Sequence, residues 1–390
     1  MKYYCLLFFY FVFSSGIYSQ NTYSKYYNIV KANPKYGNEI CEKIIKYDNS
    51  YFCKGKAVQS FNQYIYYKWF VSAFDASNNL KWKKVFNWLA FINILCDNDT
   101  LFVIGANNDY STAQKANYIL KYSLQGDSLG VWTYPYESFT KIPIGFIKKN
   151  DYFYVYNWDI IDEKNNKLEL QKIDKNGNKI FEKTLIDHSI NTAQSFTETK
   201  DGNFLATFMV GISGTASIVM KIDTMGNILW LKNDYDEEGL FEHITKAVEL
   251  DDGSIVYNTT HTIMDFDSLY YQGLYQIPNV MKRITSDGKT QLWRLQINKP
   301  NTDFHFSIID LYHAANNDII VLGIHKMIDS LTINDTLGYY DFINSWIFRV
   351  NSSGKILWEK QIKDSINIFN NQFASMIEEE NGDLLIAGAI

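Results

Sequence analysis

Residues whose types and spacing could do chemistry are sparse in this chain. Its six histidines, His188, His243, His261, His305, His313 and His325, are scattered, with no H-E-x-x-H and no pair at metal-ligand spacing. Gly211-Ile212-Ser213-Gly214 departs from the G-x-S-x-G elbow that would expose a nucleophilic serine. Two acidic groups, Asp159/Asp162/Glu163 and Asp234/Asp236/Glu237/Glu238, have the donor type for calcium. Neither has the spaced ligands and closing Glu of a calcium loop, so they read as solvated acidic loops. Cys41, Cys53 and Cys96 follow an N-terminal Cys5 without any C-x-x-C, which argues against zinc and against a redox dithiol. A Cys41–Cys53 bridge is one reading, in an oxidising compartment; three small apolar side chains buried in strands is the other. No catalytic set, metal or cofactor emerges. A quinone, for instance, would need dedicated axial polar groups and a metal site.

Polar and aromatic side chains concentrate in two segments instead. The first holds His261, Asp265, Asp267, Tyr270, Tyr271 and Tyr275; the second holds His325, Asp329, Asp335, Tyr339, Tyr340 and Asp341. Tyr and Asp together on loops suit recognition of a glycan or a protein surface. Neutral loop growth gives the same pattern, because lengthening a surface loop costs little entropy.

What would position these segments is a repeat. Ile173-Asp174-Lys175-Asn176-Gly177-Asn178-Lys179-Ile180-Phe181 matches Ile222–Trp230, Val350–Trp358 and, with Asn78 in place of Gly, Phe74–Trp82. Looser copies run from Tyr122 through Gly126 to Trp132 and from Ile284 through Gly288 to Trp293. The anchors Trp82, Trp132, Phe181 and Trp230 are spaced by about 50 residues, and Trp293 and Trp358 follow at about 65, within the range of propeller blades. Each copy has a mechanism. Asp or Asn bonds the backbone N–H groups of a turn. Gly126, Gly177, Gly226, Gly288 and Gly354 take the positive φ that the turn needs. The next strand ends on a large aromatic, which makes a hairpin with a bulged turn.

A second hairpin precedes each copy. Its turns are Asp48-Asn49, Asn98-Asp99, Asn150-Asp151, Asp201-Gly202, Asp252-Gly253, Asn317-Asp318 and Asn381-Gly382. Strands such as Ile319–Gly323 and Leu384–Gly388 are apolar on both faces, as expected of strands held between neighbouring sheets. Two hairpins make a four-stranded antiparallel sheet that cannot bury itself. Radial stacking buries both faces, and closing the ring protects the edges. The expectation is an all-β, seven-bladed β-propeller of four-stranded antiparallel blades, occupying residues 20–390 as one domain. A Lys recurs two residues after the anchor, as in Trp82/Lys84, Phe181/Lys183, Trp230/Lys232 and Trp358/Lys360, and Tyr23/Lys25 repeats the relation. Residues 21–30 are therefore expected to close the last blade, whose C-terminal part, about residues 371–390, stops in mid-unit as a fragment would. The two Tyr/Asp segments fall between second and third strands of adjacent blades, so both should rise on one face of the ring.

The D-x-x-G-x-x-x-W pattern resembles the tryptophan-docking repeat of the quinoprotein-like propeller superfamily. The resemblance implies that Trp82, Trp132, Trp230, Trp293 and Trp358 dock between adjacent blades; Phe181 departs from it. The organisation is also similar to the repeat propellers of secreted Bacteroidota proteins, which often carry a C-terminal type IX sorting domain; none falls within residues 1–390, and for a fragment it is expected beyond Ile390.

Composition agrees with a globular, secreted chain. The sequence is 46% hydrophobic and 16% aromatic, with five prolines, which opposes disorder. A net charge of −6 with acids and bases interspersed offers no basic stripe for nucleic acid. Lys2, the apolar run Leu6–Phe13 and the small residues up to Ser19 form a secretory signal over residues 1–19, too short to span a membrane comfortably. The expected function is a secreted or cell-surface, non-enzymatic, monomeric module that binds a protein or glycan. The alternatives are a polysaccharide hydrolase or lyase using acidic residues near the ring axis, and a structural spacer.

Overall fold

A computed structural model describes residues 37–389, apart from 62–63, 78, 108–114, 163–164, 188–189, 212–215, 235–240, 263–278, 298–304, 334–335 and 363–371. The expected signal segment 1–19 and the expected closing strand 21–30 lie outside the described residues. Among the described residues no helix is long and apolar enough to cross a membrane.

The chain folds into consecutive antiparallel sheets. Blade 1 is β1 (Gly37–Tyr47), β2 (Ser50–Phe61), β3 (Tyr64–Asp75) and β4 (Leu80–Phe86). Blade 2 is β5 (Leu89–Asp97), β6 (Thr100–Asn107), β7 (Ala116–Ser123) and β8 (Ser128–Pro135). Blade 3 is β9 (Thr140–Lys149), β10 (Tyr152–Ile160), β11 (Asn166–Asp174) and β12 (Lys179–Asp187). Blade 4 is β13 (Ile190–Glu198), β14 (Phe204–Val210), β15 (Ala216–Ile222) and β16 (Ile228–Asp234). Blade 5 is β17 (Phe241–Glu249), β18 (Ile255–Thr262), β19 (Asn279–Ile284) and β20 (Gln291–Ile297). Blade 6 is β21 (His305–Ala314), β22 (Asp318–Ile333), β23 (Thr336–Val350) and β24 (Ile356–Ile362). Two strands follow, β25 (Gln372–Glu378) and β26 (Leu384–Ala389), paired only with each other.

The expectation of seven four-stranded blades is thus corrected. Among the described residues the ring has six four-stranded blades, and its closing sector holds a two-stranded sheet. After blade 6 the described chain supplies one hairpin, at the Asn381-Gly382 turn, and no second one to widen it. The circle nevertheless closes. Each blade's first strand touches the first strand of the next, and β25 and β26 pack on β1. Leu385 and Ala387 join Cys41, Ile44, Phe70 and Phe74 in one buried cluster, and the Ile44 N–H donates to Ser375 Oγ at 3.3 Å.

The turns form for local reasons. Asp174 Oδ1 accepts the N–H groups of Asn176 and Asn178 at 2.9 and 2.8 Å, while the Gly177 N–H donates to the Asp174 carbonyl at 3.1 Å. Asp75 and Asp223 hold their turns in the same way. In each of the six blades a register shift sits beside this outer turn. Apolar clusters fill the gaps between sheets. Leu101, Val103 and Phe52 join blades 1 and 2, and Tyr156, Leu170, Phe204 and Met220 join blades 3 and 4. Strands such as β14, buried along nearly all its length, pack on both faces, which explains their unbroken apolar sequence.

Candidate functional site

The anchor aromatics lie on the outer strands, and Trp82, Trp132, Trp230 and Trp293 lie against the outer turn of the following blade. The indole N–H of Trp82 donates to the Leu124 carbonyl at 2.8 Å, that of Trp230 to Ser286 at 3.0 Å and that of Trp293 to Ser352 at 2.8 Å. A β-carbon on Gly126, Gly288 or Gly354 would stand about 3 Å from these same indoles. Trp132 lies against Gly177. Phe181 has no N–H to donate, and there Lys183 spans the gap to Asn227 Oδ1 at 2.7 Å. Its glycine, Gly226, faces Lys183, Leu170 and Leu185. Trp358 packs against the cluster between blade 6 and the two-stranded sheet.

Of the two Tyr/Asp segments, Asp265, Asp267, Tyr270, Tyr271, Tyr275 and Asp335 lie outside the described residues. His261 falls on β18, opposite Glu242. His325 and Asp329 fall on β22, and Tyr339, Tyr340 and Asp341 on β23. These two strands form a long hairpin in which Asp329 pairs with Tyr340 and Ser330 with Tyr339. Both expansions join a second strand to a third, so both belong to the end of the ring where first strands begin.

Concave space opens in the half of the ring near that same end. A cavity of about 550 Å³ is lined by Glu42, Lys54, Lys56, Trp69, Ala90, Ile92, Asn93, Ile142, Pro143, Ile144 and Gln194, a volume typical of small-molecule sites. Its walls are built by β-bulges, which bend a strand and re-aim a side chain. β1 shifts register between Cys41 and Lys43, so Glu42 is an inserted residue. Ile144 of β9 and Gln194 of β13 are inserted in the same way, and Ile92 lies in the bulge of β5 between Ala90 and Asn93. The sequence reading missed these bulges, which carry no composition signal; only the recurrence of one extra residue per first strand betrays them.

Charge on these walls is mainly positive. Glu42 accepts Lys54 on Oε2 at 3.0 Å and Lys56 on Oε1 at 2.9 Å. Burial alone would raise the Glu42 carboxyl, but the two lysines and their hydrogen bonds overcome it and hold it below its ordinary value. The Lys54 and Lys56 ammonium groups also stand 5.6 and 6.0 Å from the centre of the Trp69 ring. Behind the wall, Lys43 Nζ donates to Asn93 Oδ1 at 2.9 Å, and Asn93 Nδ2 donates to the Ile144 carbonyl at 3.2 Å. Burial pushes the Lys43 ammonium down to about 8; Lys54 and Lys246 push the same way, and Asp310 opposes them. Lys246 is itself paired to Asp310 at 2.6 Å.

A second polar group crosses blade 3. Lys141 lies 2.6 Å from Glu169 and also pairs with Glu182, and Lys167 lies 2.7 Å from Glu169 and 3.4 Å from Asp159. Asp159 is 3% exposed, so its reading as part of a solvated acidic loop is corrected; it ends β10 opposite Lys141 of β9. Asp162 is exposed as expected. Glu163, Asp236, Glu237 and Glu238 lie outside the described residues. Cys41 and Cys53 are joined by a disulfide between β1 and β2, with a Cα separation of 6.2 Å, and both are fully buried. Cys96 is free. Among the described residues no three His, Cys, Asp or Glu side chains converge as a metal site.

No protein-family model matches the chain, and no curated protein matches it. The chain is similar in part to several solved structures. A protein of unknown function from Dyadobacter fermentans is 11% identical over 80% of this chain and 94% of its own, with a TM-score of 0.43. A protein of unknown function from Bacteroides caccae is 14% identical over 70% and 84%, with a TM-score of 0.39. The GH93 α-L-arabinofuranosidase of Fusarium graminearum is 10% identical over 78% and 93%, with a TM-score of 0.44. At such identities and TM-scores the likeness assigns no chemistry to this chain.

Proposed function

We propose that this chain is a secreted or cell-surface β-propeller that binds a glycan, without transforming it, at the end of the ring bearing the expanded hairpins. The observation that carries this reading is the bulge-lined cavity. It sets an indole, two amides and paired charges against an aliphatic floor of Ala90, Ile92, Ile142 and Pro143, which suits a sugar's alternating hydroxyls and C–H faces. Among the described residues Glu42 is the only carboxylate on its wall, and two lysines hold it ionised. That arrangement supports binding over hydrolysis, which needs a protonated acid beside a second carboxylate. His261, Asp265, Asp267, Tyr270, Tyr271, Tyr275, His325, Asp329, Asp335, Tyr339, Tyr340 and Asp341 would form the rim at that end.

The Cys41–Cys53 bridge supports an oxidising compartment, in keeping with a cleaved signal over residues 1–19. The indole contacts between blades support kinship with the quinoprotein-like propellers, and a monomer is the simplest assembly for a ring closed on itself. The test is a glycan array probed with the purified chain, with Trp69→Ala and with a variant whose two expanded hairpins are cut to short turns. Binding to a defined glycan set that both changes abolish is expected. An array without signal, or a signal indifferent to both changes, would refute the reading.

A further inference from the structure

Lys54 and Lys56 line one cavity on which Glu42, among the described residues, is the single carboxylate. The lining carries two positive charges to one negative, in a chain whose net charge is −6, so it runs against the sign of the whole; Lys43 stands behind this wall, bonded to Asn93 and within the field of Asp310. In a partly enclosed, low-dielectric space such an excess acts strongly on whatever enters. Lys246, farther around the axis, is already balanced by Asp310. Glu42 braces Lys54 and Lys56 on one wall, and Asn93 ties Lys43 to the floor at Ile144. The cations are thereby held in place before a ligand arrives, which lowers the ordering cost of binding.

We propose, building on the glycan-binding reading above, that this cavity takes an anionic sugar unit, its carboxylate or sulfate set beside Lys54 and Lys56 and its ring against Trp69 and the aliphatic floor. A cavity of about 550 Å³ accommodates one or two sugar rings. The Asn93 and Gln194 amides stand on the wall where ring hydroxyls would lie. Lysines recognise such groups as point charges, so the geometry leaves carboxylate and sulfate to be separated by measurement.

The experiment is calorimetric titration of the full chain with trigalacturonate, with a galactose 6-sulfate oligosaccharide and with neutral galactotriose. At least one acidic probe is expected to bind about tenfold or more tightly than the neutral one, with affinity falling as salt is raised. Whichever acidic probe wins identifies the charged group. Lys54→Gln and Lys56→Gln should each weaken the acidic probe by about tenfold and the neutral probe by far less. Melting curves establish that each variant is folded, and Lys56→Gln carries the test should Lys54→Gln melt early. Equal binding of acidic and neutral sugars, or acidic binding indifferent to both variants, overturns the inference while array binding leaves the glycan reading intact. No binding of any sugar, on the array or in solution, overturns both.

Discussion

The indole N–H of Trp293 lies 2.8 Å from the carbonyl oxygen of Ser352, 59 residues further along the chain. One hydrogen bond thus joins the outer strand of blade 5 to the outer turn of blade 6. The same carbonyl also accepts Arg283 Nη1, so it keeps a partner when the indole is lost. Trp293→Phe is therefore expected to cost only about 1 kcal/mol, the net value of one hydrogen bond. Trp293→Ala, which also empties the space beside Leu295 and Val256, should cost about 3 kcal/mol. The midpoint of urea unfolding measures both. Equal losses would mean that the N–H, and not the ring's bulk, is what joins the blades.

Gly177 sits at φ +90°, and a β-carbon there would stand 2.5 Å from the Trp132 indole. Its N–H and carbonyl are both engaged, with Asp174 and with the Tyr134 hydroxyl. Gly177→Ala combines left-handed strain with a clash against a packed ring. A loss of about 2–3 kcal/mol is expected, and a melting-temperature series should show it. Gly130→Ala is the contrasting control. Its φ of +143° is also unusual, but only the flexible end of Lys121 lies near.

Much of this architecture was legible because turn chemistry is local. Asp174 and Gly177 specify their hairpin within five residues, and the pattern returns with each blade, so strands, their pairing and their stacking could be read in order. Blade number could not, because it depends on which strands complete the final sheet, and no residue near Asn381-Gly382 encodes that locally. The cavity was illegible for a related reason. A bulge at Glu42 or Gln194 is one extra residue in a strand whose composition is ordinary, and its effect appears only when first strands from four blades meet. Asp159 was misread because a charged residue at a strand end looks solvated until the lysines across two neighbouring strands are known.

Cys41 and Cys53 close a loop of 12 residues across β1 and β2, next to the sheet that completes the ring. A cross-link over so short a loop stabilises mainly by restricting the unfolded chain, by about 2–3 kcal/mol. Dithiothreitol is expected to lower the unfolding midpoint accordingly, and Cys41→Ala with Cys53→Ala should be insensitive to it. Reduction without effect on the wild type would show that packing of Ile44, Phe70 and Leu385 alone secures this junction.

Lys141 is the hub of the blade 3 charge group, reaching Glu169 and Glu182 from β9. Lys141→Met would leave Glu169 and Asp159, both almost fully buried, with only Lys167. Removing one member of a buried network costs about 3–5 kcal/mol. Acid should weaken the same group. Burial works to raise the Glu182 carboxyl, but Lys141 and Lys179 hold it down at about 2, against an ordinary 4.5. A folded-state value below the unfolded one gives stability that is complete above pH 4.5 and lost as pH falls towards 2, about 1 kcal/mol once solvent screening of the exposed Glu182 is counted. Glu182→Gln should flatten the unfolding midpoint over that window.

Lys43 carries the opposite sign. Burial, with Lys54 of β2 and Lys246 of β17, lowers its ammonium to about 8 from an ordinary 10.5, against the pull of Asp310 on β21. The folded chain then holds fewer protons than the unfolded chain between pH 8 and 10.5, so this group destabilises the fold below pH 8 and ceases to do so as pH rises through that window. Lys43→Met is expected to raise the unfolding midpoint at pH 7, with the advantage over wild type fading by about pH 10. Asn93 Oδ1 keeps the Ile94 N–H at 2.9 Å in that variant, so no orphaned acceptor offsets the gain. Lys43→Met that melted lower than wild type at pH 7 would show instead that the bond to Asn93 outweighs the burial of its charge.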